Sequence, residues 1–306
     1  MSEAPRVSTI ILNWNGLADT RECLQSLRDA SYPAQRVTVV DNGSKQDEAR
    51  LLEEEFGDFI HLIRNPTNVG VAAGWNIGIR YALEQGTDYV LLLNNDVIVD
   101  PGFLSELVAA AESRPGLAAA CPKTYFRDRP DVIYSTGGRV NLWTATARQI
   151  GRGQADLGQF GRVARRDYAD GVCMLIPTTA FERVGLLDED YFAYWEETDW
   201  CFRAREKGLR CCYVPEAKIW HKAARSISPG NDFYYLYRRN ALLFVRKRGN
   251  PLHLASALLV HFFVYGPLYF LRHPSRIGRA PAEARALLWH ATNRRGSNQA
   301  RQPPLV

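Results

Sequence analysis

Apolar runs and polar breaks alternate along the first half of the chain. Residues 7–12 form a β-rich apolar run, and residues 37–40, 59–63 and 89–93 repeat it. The intervening spacing predicts helices. One starts at Asp19, whose offset to Glu22 has capping-box spacing, and reaches about Ala30; another covers 71–85. A third starts near Pro101, and a strand is expected at 117–121. Continuous apolar strands separated by helices predict an α/β fold, a mostly parallel sheet with helices on both faces. From 122 to 169 the pattern breaks at Gly137-Gly138 and at the glycines between 151 and 161, so this stretch reads as a mobile loop over a site or a surface excursion. A strand at 172–176, a short helix at 179–184 and an amphipathic helix over 196–207 follow, and no internal repeat is visible.

Each early strand ends in polar residues: Asn13, then Asp41-Asn42, then Asn65, then Asn94-Asn95-Asp96. In an open α/β sheet the carboxyl ends of the strands line the ligand crevice, so one site built from four loops is expected. The first βα turn, Asn13-Trp14-Asn15-Gly16, lacks the glycines of a dinucleotide fingerprint, and no P-loop occurs. The glycine-rich helix start from Asn68 through Gly70, Gly74 and Asn76 to Gly78 reads either as close helix–sheet packing or as a backbone edge against a nucleotide. Asp96 reads as a ligand for Mg²⁺ or Mn²⁺ or as a loop cap, and Asn94 offers an amide oxygen or a ribose hydrogen bond. Glu196-Glu197-Thr198-Asp199 opens a helix, where the dipole favours acids. It also follows the aromatic run 191–195, whose partial dryness would make a carboxylate a general base. His221, after a strand-like segment, is a structural histidine or a third metal-site member suited to Mn²⁺.

Composition sharpens this reading. A hydrophobic share of 46% in 306 residues excludes a wholly disordered chain. Six cysteines without a C-x-x-C pair exclude a disulfide scaffold and a zinc ribbon, and the absence of an N-terminal leader leads us to expect the reducing cytoplasm. Charge divides the chain: residues 1–232 carry net −6 and residues 233–306 net +11. The basic part contains residues 252–271, free of Asp, Glu, Lys and Arg but interrupted by His253, His261 and Gly266-Pro267. Seven basic residues beyond it oppose a full span under the positive-inside tendency. The expectation is a bent segment in the cytoplasmic leaflet, with a full span or a soluble packing helix as alternatives. No nucleic-acid-reading module accompanies the charge, so no nucleic acid partner is expected.

Taken together, the Val-Asp41-Asn-Gly-Ser44 turn, the Asn68…Gly70…Asn76…Gly78 helix start, Leu-Asn94-Asn95-Asp96, Gly185-Leu-Leu-Asp188-Glu189 and Glu196-Glu197-Thr-Asp199-Trp-Cys occur in an order that resembles family 2 glycosyltransferases. The likeness is strongest to the bacterial rhamnosyltransferase-like branch and covers residues 7 to about 248. It implies a GT-A-type fold over 1–232, followed by a helical, basic, membrane-associating appendage over 233–306. It also implies an inverting transfer from a nucleotide-diphosphate sugar (dTDP-rhamnose or a UDP-sugar) to a lipid-linked or oligosaccharide acceptor in cell-surface polysaccharide synthesis. The place would be the cytoplasmic face of the inner membrane, with peripheral attachment or one C-terminal segment. Asp41 would read the nucleotide base, within a donor-binding set of Asn13, Asp41, Asn68, Gly70, Asn76, Asn94 and Asn95. Asn94 and Asp96 stand where the family has its DxD, leaving Asp96 as the metal carboxylate with His221 beside it, for Mn²⁺ or Mg²⁺. Glu197 occupies the catalytic-base position, usually Asp, with Glu196 and Asp199 as substitutes. Arg239-Asn240 matches a Tyr…Arg-Asn helix. Two rival readings are a sugar-phosphate nucleotidyltransferase and a non-catalytic nucleotide-sugar-binding assembly partner. The first would want a lysine-bearing triphosphate loop, and residues 7–30 contain no lysine.

Overall fold

The first apolar run becomes the middle of a sheet. In the computed structural model, which describes residues 3–223, 231–265 and 280–292 together with Leu271 and Gly278, β1 (Val7–Asn13) lies between β2 (Gln35–Asp41) and β4 (Tyr89–Asn94), parallel to both. β3 (Ile60–Arg64) continues the parallel run beyond β2. A strand flanked on both sides and covered on both faces must be apolar throughout, which is why Ile10 and Ile11 have no exposed surface.

Elsewhere the sheet changes direction. β11 (Cys173–Pro177) runs antiparallel to both β4 and β6 (Leu117–Phe126), whereas β12 (Arg210–His221) pairs parallel with β6. β10 (Ala164–Arg166) and β5 (Val97–Val99) lie antiparallel on β12, and β7 (Ile133–Ser135) antiparallel on β6. The resulting ten-stranded order is β10-β12-β6-β11-β4-β1-β2-β3, with β5 and β7 added at the side. The expected mostly parallel sheet is therefore corrected to a mixed one. The parallel helix-linked pattern stops after β6, because short strands replace helices as connections through 122–169. That stretch, read as a loop or excursion, holds β7, β10 and a separate hairpin, β8 (Gly138–Asn141) with β9 (Thr146–Gln149).

Helices cover both faces. α1 (Leu17–Arg28), α2 (Glu48–Phe56) and α4 (Phe103–Glu112) bury Leu24, Leu27, Leu52, Phe56, Phe103 and Leu107 on one side. α3 (Val71–Glu84), α5 (Thr178–Val184) and α6 (Glu196–Glu206) bury Trp75, Ile79, Phe181 and Trp200 on the other. Gly74 and Gly78 let α3 approach β1: a Cβ on Gly78 would lie 2.5 Å from Ile10 Cγ2. Their packing reading holds. The capping box at Asp19 is not formed, because α1 starts at Leu17 behind Gly16 and the Asp19 carboxylate takes Lys222 Nζ at 2.6 Å.

The basic region is helical where it is described: α7 (Asn231–Arg248), α8 (Pro251–Leu259), a π-helical turn (Val260–Tyr265) and α9 (Ala280–Thr292). Asn250 and His253 form a capping box that starts α8 afresh. No helix among the described residues is long and apolar enough to cross a membrane. The bend expected at Gly266-Pro267 lies outside the described residues. α7 packs Leu242, Phe244 and Val245 against Tyr191, Trp195 and Phe202, the residues around the start of α6.

Candidate active site

Strand register brings the polar strand ends together. Asn13 pairs with Asp41, and Leu12 with Asn94, so β1, β2 and β4 stop side by side. Asn13 is fully buried and spends its whole amide locally. Its Nδ2 donates to Asp41 Oδ2 at 2.8 Å and Glu48 Oε2 at 3.0 Å, and its Oδ1 accepts from Thr20 at 2.7 Å. Asp41 also accepts from the Ser44 backbone N–H at 3.0 Å. Asn42 fixes the next loop, donating to Asn68 Oδ1 at 2.9 Å and the Gly70 carbonyl at 3.1 Å while accepting from Asn65 and Val69.

Two donor-set residues are used differently from expectation. Gly70, at φ +91°, presses on Phe192, whose carbonyl accepts from Val71 N–H at 2.5 Å and Ala72 N–H at 3.3 Å. The first turn of α3 is thus capped by protein, which leaves those N–H groups no phosphate to receive. Asn76 is buried and closes on the 187–189 segment, donating to the Leu187 carbonyl at 2.9 Å and Glu189 Oε1 at 2.9 Å and accepting from Leu187 N–H at 3.0 Å.

Asp96 follows Asn94, which is half-buried, and Asn95, whose amide donates to Thr20 Oγ1 at 2.9 Å. Asp96 and His221 meet because β5 pairs with the end of β12: Asp96 Oδ1 lies 3.1 Å from His221 Nε2, both residues almost wholly buried. Two ligands at right angles and about 2.1 Å from one cation would themselves be about 3 Å apart. Buried His221 Nδ1 has no hydrogen-bond partner among the described residues, while Nε2 is the nitrogen that faces Asp96. No group of three or more metal-type side chains exists among the described residues. The oxygen-plus-imidazole pair nevertheless suits a cation that takes most of its shell from phosphate and water.

The third cluster lies at the start of α6. Burial, and then Asp170, push the half-buried Glu197 carboxyl up to about 7. Burial and the neighbouring Glu197 hold Glu196 well above the usual carboxylate range, and its Oε2 has no hydrogen-bond partner among the described residues. Asp199 is a different case. It has no exposed surface and accepts from Tyr191 at 2.9 Å, Arg203 at 3.0 Å and Arg248 at 2.7 Å. It anchors helices and cannot reach a substrate hydroxyl, so the acid candidates reduce to the Glu196–Glu197 pair.

The loop before this pair is wound tightly. Phe192, Tyr194 and Trp195 all have positive φ (60°, 70° and 76°), which costs a non-glycine residue roughly 1–2 kcal/mol each. α7 holds them in place. Asn240 Nδ2 donates to the carbonyls of Tyr191, Ala193 and Tyr194 at 2.7–2.8 Å, and Arg239 Nη2 donates to those of Asp190 and Tyr191 at 3.0 and 3.1 Å.

Known proteins resemble this chain in sequence and in fold. The model of the glycosyltransferase-like family 2 matches residues 5–239. This chain belongs to that family. A low-salt glycan biosynthesis hexosyltransferase of Haloferax volcanii is 29% identical over 69% of this chain, which spans 66% of that protein. A dTDP-rhamnosyl transferase of Shigella flexneri is 25% identical over 79% of this chain and 81% of its own length. An N-acetylglucosaminyl-diphospho-decaprenol L-rhamnosyltransferase of Mycobacterium tuberculosis is 26% identical, covering 66% of this chain and 71% of its own. Among solved structures, a mannosyltransferase of Pyrobaculum calidifontis in complex with GDP-Man and Mn²⁺ superposes at TM-score 0.59, with 14% identity over 96% of this chain and 89% of its own. The fold is therefore a mixed α/β, GT-A-like one.

Several residues of this candidate site are not signalled by strand ends. Asp170 enters the acid cluster because β11 runs antiparallel to β4, so the residues before β11 arrive where β4 leaves; Asn94 N–H donates to the Val172 carbonyl at 2.9 Å. Tyr134 stands edge-on to His221 with centroids 4.6 Å apart, and Asp170 helps burial to raise its hydroxyl above its ordinary value. It thereby connects the Asp96–His221 pair with the acid cluster. Glu48, from α2, could have been found only by predicting that helix.

Proposed function

We propose that the protein is an inverting glycosyltransferase. It would move a sugar from a nucleotide-diphosphate donor, dTDP-rhamnose or a UDP-sugar, to a lipid-linked or glycan acceptor in cell-surface polysaccharide synthesis. The observation that carries this reading is the Glu197 carboxyl, raised to about 7 at the sheet edge that also holds the Asp96–His221 pair. A base with that value accepts a proton near neutral pH, which an attacking acceptor hydroxyl must give up. Burial and Glu197 itself raise the Glu196 carboxyl beside it, which disfavours a second negative charge there.

In this reading Asp41 and the Asn13 and Asn42 networks hold the nucleotide loops, Asn94 faces the donor, and Asp96 with His221 holds a divalent cation. Bound there, Mn²⁺ or Mg²⁺ would neutralise charge on the departing diphosphate. Residues 1–232 carry the transfer chemistry and 233–306 face the cytoplasmic membrane surface, with α7 serving both. Exposed Leu252, Leu259, Phe262 and Phe263 on α8 and the following turn support peripheral attachment.

The test is nucleoside-diphosphate release from a panel of dTDP-rhamnose and UDP-sugars with lipid-linked acceptor, and the anomeric configuration of the product. One donor should turn over with inversion. Glu197→Gln should lower kcat by about 10²–10⁴ with donor affinity kept. Retained configuration, or wild-type turnover in Glu197→Gln, would sink the assignment.

A further inference from the structure

At the far end of α6 from Glu197, a cavity of about 500 Å³ opens among β8, β10, the turn after α6 and the start of β12. Five arginines line it, Arg139, Arg165, Arg166, Arg205 and Arg210, and Asp167 is the one carboxylate among its lining residues. Buried Cys201 and Cys211 lie at its floor. Glu197 and Arg205 are eight residues apart on α6, about 12 Å along its axis, so this cavity stands apart from the acid pair.

The charges do not cancel. Asp167 reaches Arg205 at 3.7 Å and gives its other oxygen to the Val140 N–H at 2.9 Å. Arg139, Arg165 and Arg210 have no carboxylate within ion-pair distance among the described residues. Arg139 also faces Arg148 directly across the β8–β9 hairpin, a pairing that costs stability. Arg166 is held by Thr136, donating to its carbonyl at 2.5 Å, and burial together with nearby Arg139 lowers its pKa. Four elements thus bring like charges around one concavity, and all five are arginine, with no lysine. The planar guanidinium fork binds oxyanions bidentately, which an ammonium does not.

We propose that this cavity binds a molecule bearing two phosphates, at a site separate from the one at the sheet edge. The volume is that of a ligand pocket and exceeds what one phosphate fills. The phosphates come from a soluble molecule or from a phospholipid headgroup.

Inorganic pyrophosphate titrated calorimetrically into the full chain, with chelator present, tests this. The Arg139→Ala/Arg165→Ala/Arg210→Ala variant should raise Kd at least about tenfold, and the matching triple Lys variant should recover only part of the affinity. All three side chains are exposed and carry like charges, so thermal melting should not fall and reports an intact fold. Asp96→Asn should bind pyrophosphate as wild type does. Absence of metal-free pyrophosphate binding at millimolar concentration, or binding indifferent to the triple Ala change, overturns the proposal. Cardiolipin and phosphatidylcholine vesicles separate the sources, since the cardiolipin headgroup carries two phosphates. If the triple Ala variant loses cardiolipin binding as well as pyrophosphate, the ligand is a headgroup; if it loses pyrophosphate alone, the ligand is soluble.

Discussion

The strand-end network around Asn13 and Asn42 and the acid cluster at the start of α6 are built on opposite plans. Around Asn13 and Asn42 the amides are spent on neighbours within the same βα unit or the next, so the positive φ values of Asn15, Gln46 and Asp47 are held by local hydrogen bonds. Around Glu196 and Glu197 the carboxyls are buried with few donors, and the preceding loop is wound through three positive φ values. What the second region lacks locally is supplied from α7. The lesson is that both regions contain left-handed turns, but the first holds its own with local hydrogen bonds, whereas the second is held from a distant helix.

Four experiments would break or sharpen that contrast. The largest effect is expected from Asn240→Ala. It removes the donor shared by the Tyr191, Ala193 and Tyr194 carbonyls, a loss of about 1–3 kcal/mol for buried groups left unpaired. Transfer should fall roughly 10–100-fold with donor affinity held; a loss of donor affinity instead would show that the two regions are not separable. Asn42→Ala should do the converse, weakening donor binding about tenfold by releasing the 65–70 loop while kcat changes little.

pH supplies the third. Because Glu197 titrates at about 7 in the folded chain, kcat should rise with pH and level off above that value, and the rise should be missing from what residual activity Glu197→Gln retains. The fourth is the matching stability effect. Glu197 holds its proton more tightly folded than unfolded, so stability falls as pH rises from its ordinary value near 4.5 through about 7. Glu197→Gln should therefore gain Tm over wild type at pH 8 relative to pH 5, by at least about 2 °C, the size of a 1 kcal/mol effect in a chain of this length. Equal Tm differences at the two pH values would mean the carboxyl is well solvated.

The same contrast explains what the sequence disclosed. Asn13, Asp41, Asn94 and Asp96 were legible because each ends an apolar run, and a parallel sheet lines up such ends automatically. Gly74 and Gly78 also kept their packing meaning. Asp170 and Tyr134 were not, since their position depends on β11 and β7 running antiparallel, and strands of three to five residues carry little periodicity. Asp199 read as a spare base because its partner Arg248 lies 49 residues away. Asn76 read as a donor contact because its real partner, the 187–189 segment, is over a hundred residues distant. Local chemistry is visible in local sequence; distant hydrogen bonds are not.

The clamp from Asn240 has a consequence in time. Glu197 precedes Asn240 by 43 residues, which a ribosome adding 5–20 residues per second needs roughly 2–9 s to synthesise. During that interval the parallel strands and the residues of their amide networks have all been synthesised. The strand-end loops can therefore form before the acid pair is held in place. That last constraint waits for α7, which in turn is packed by α9.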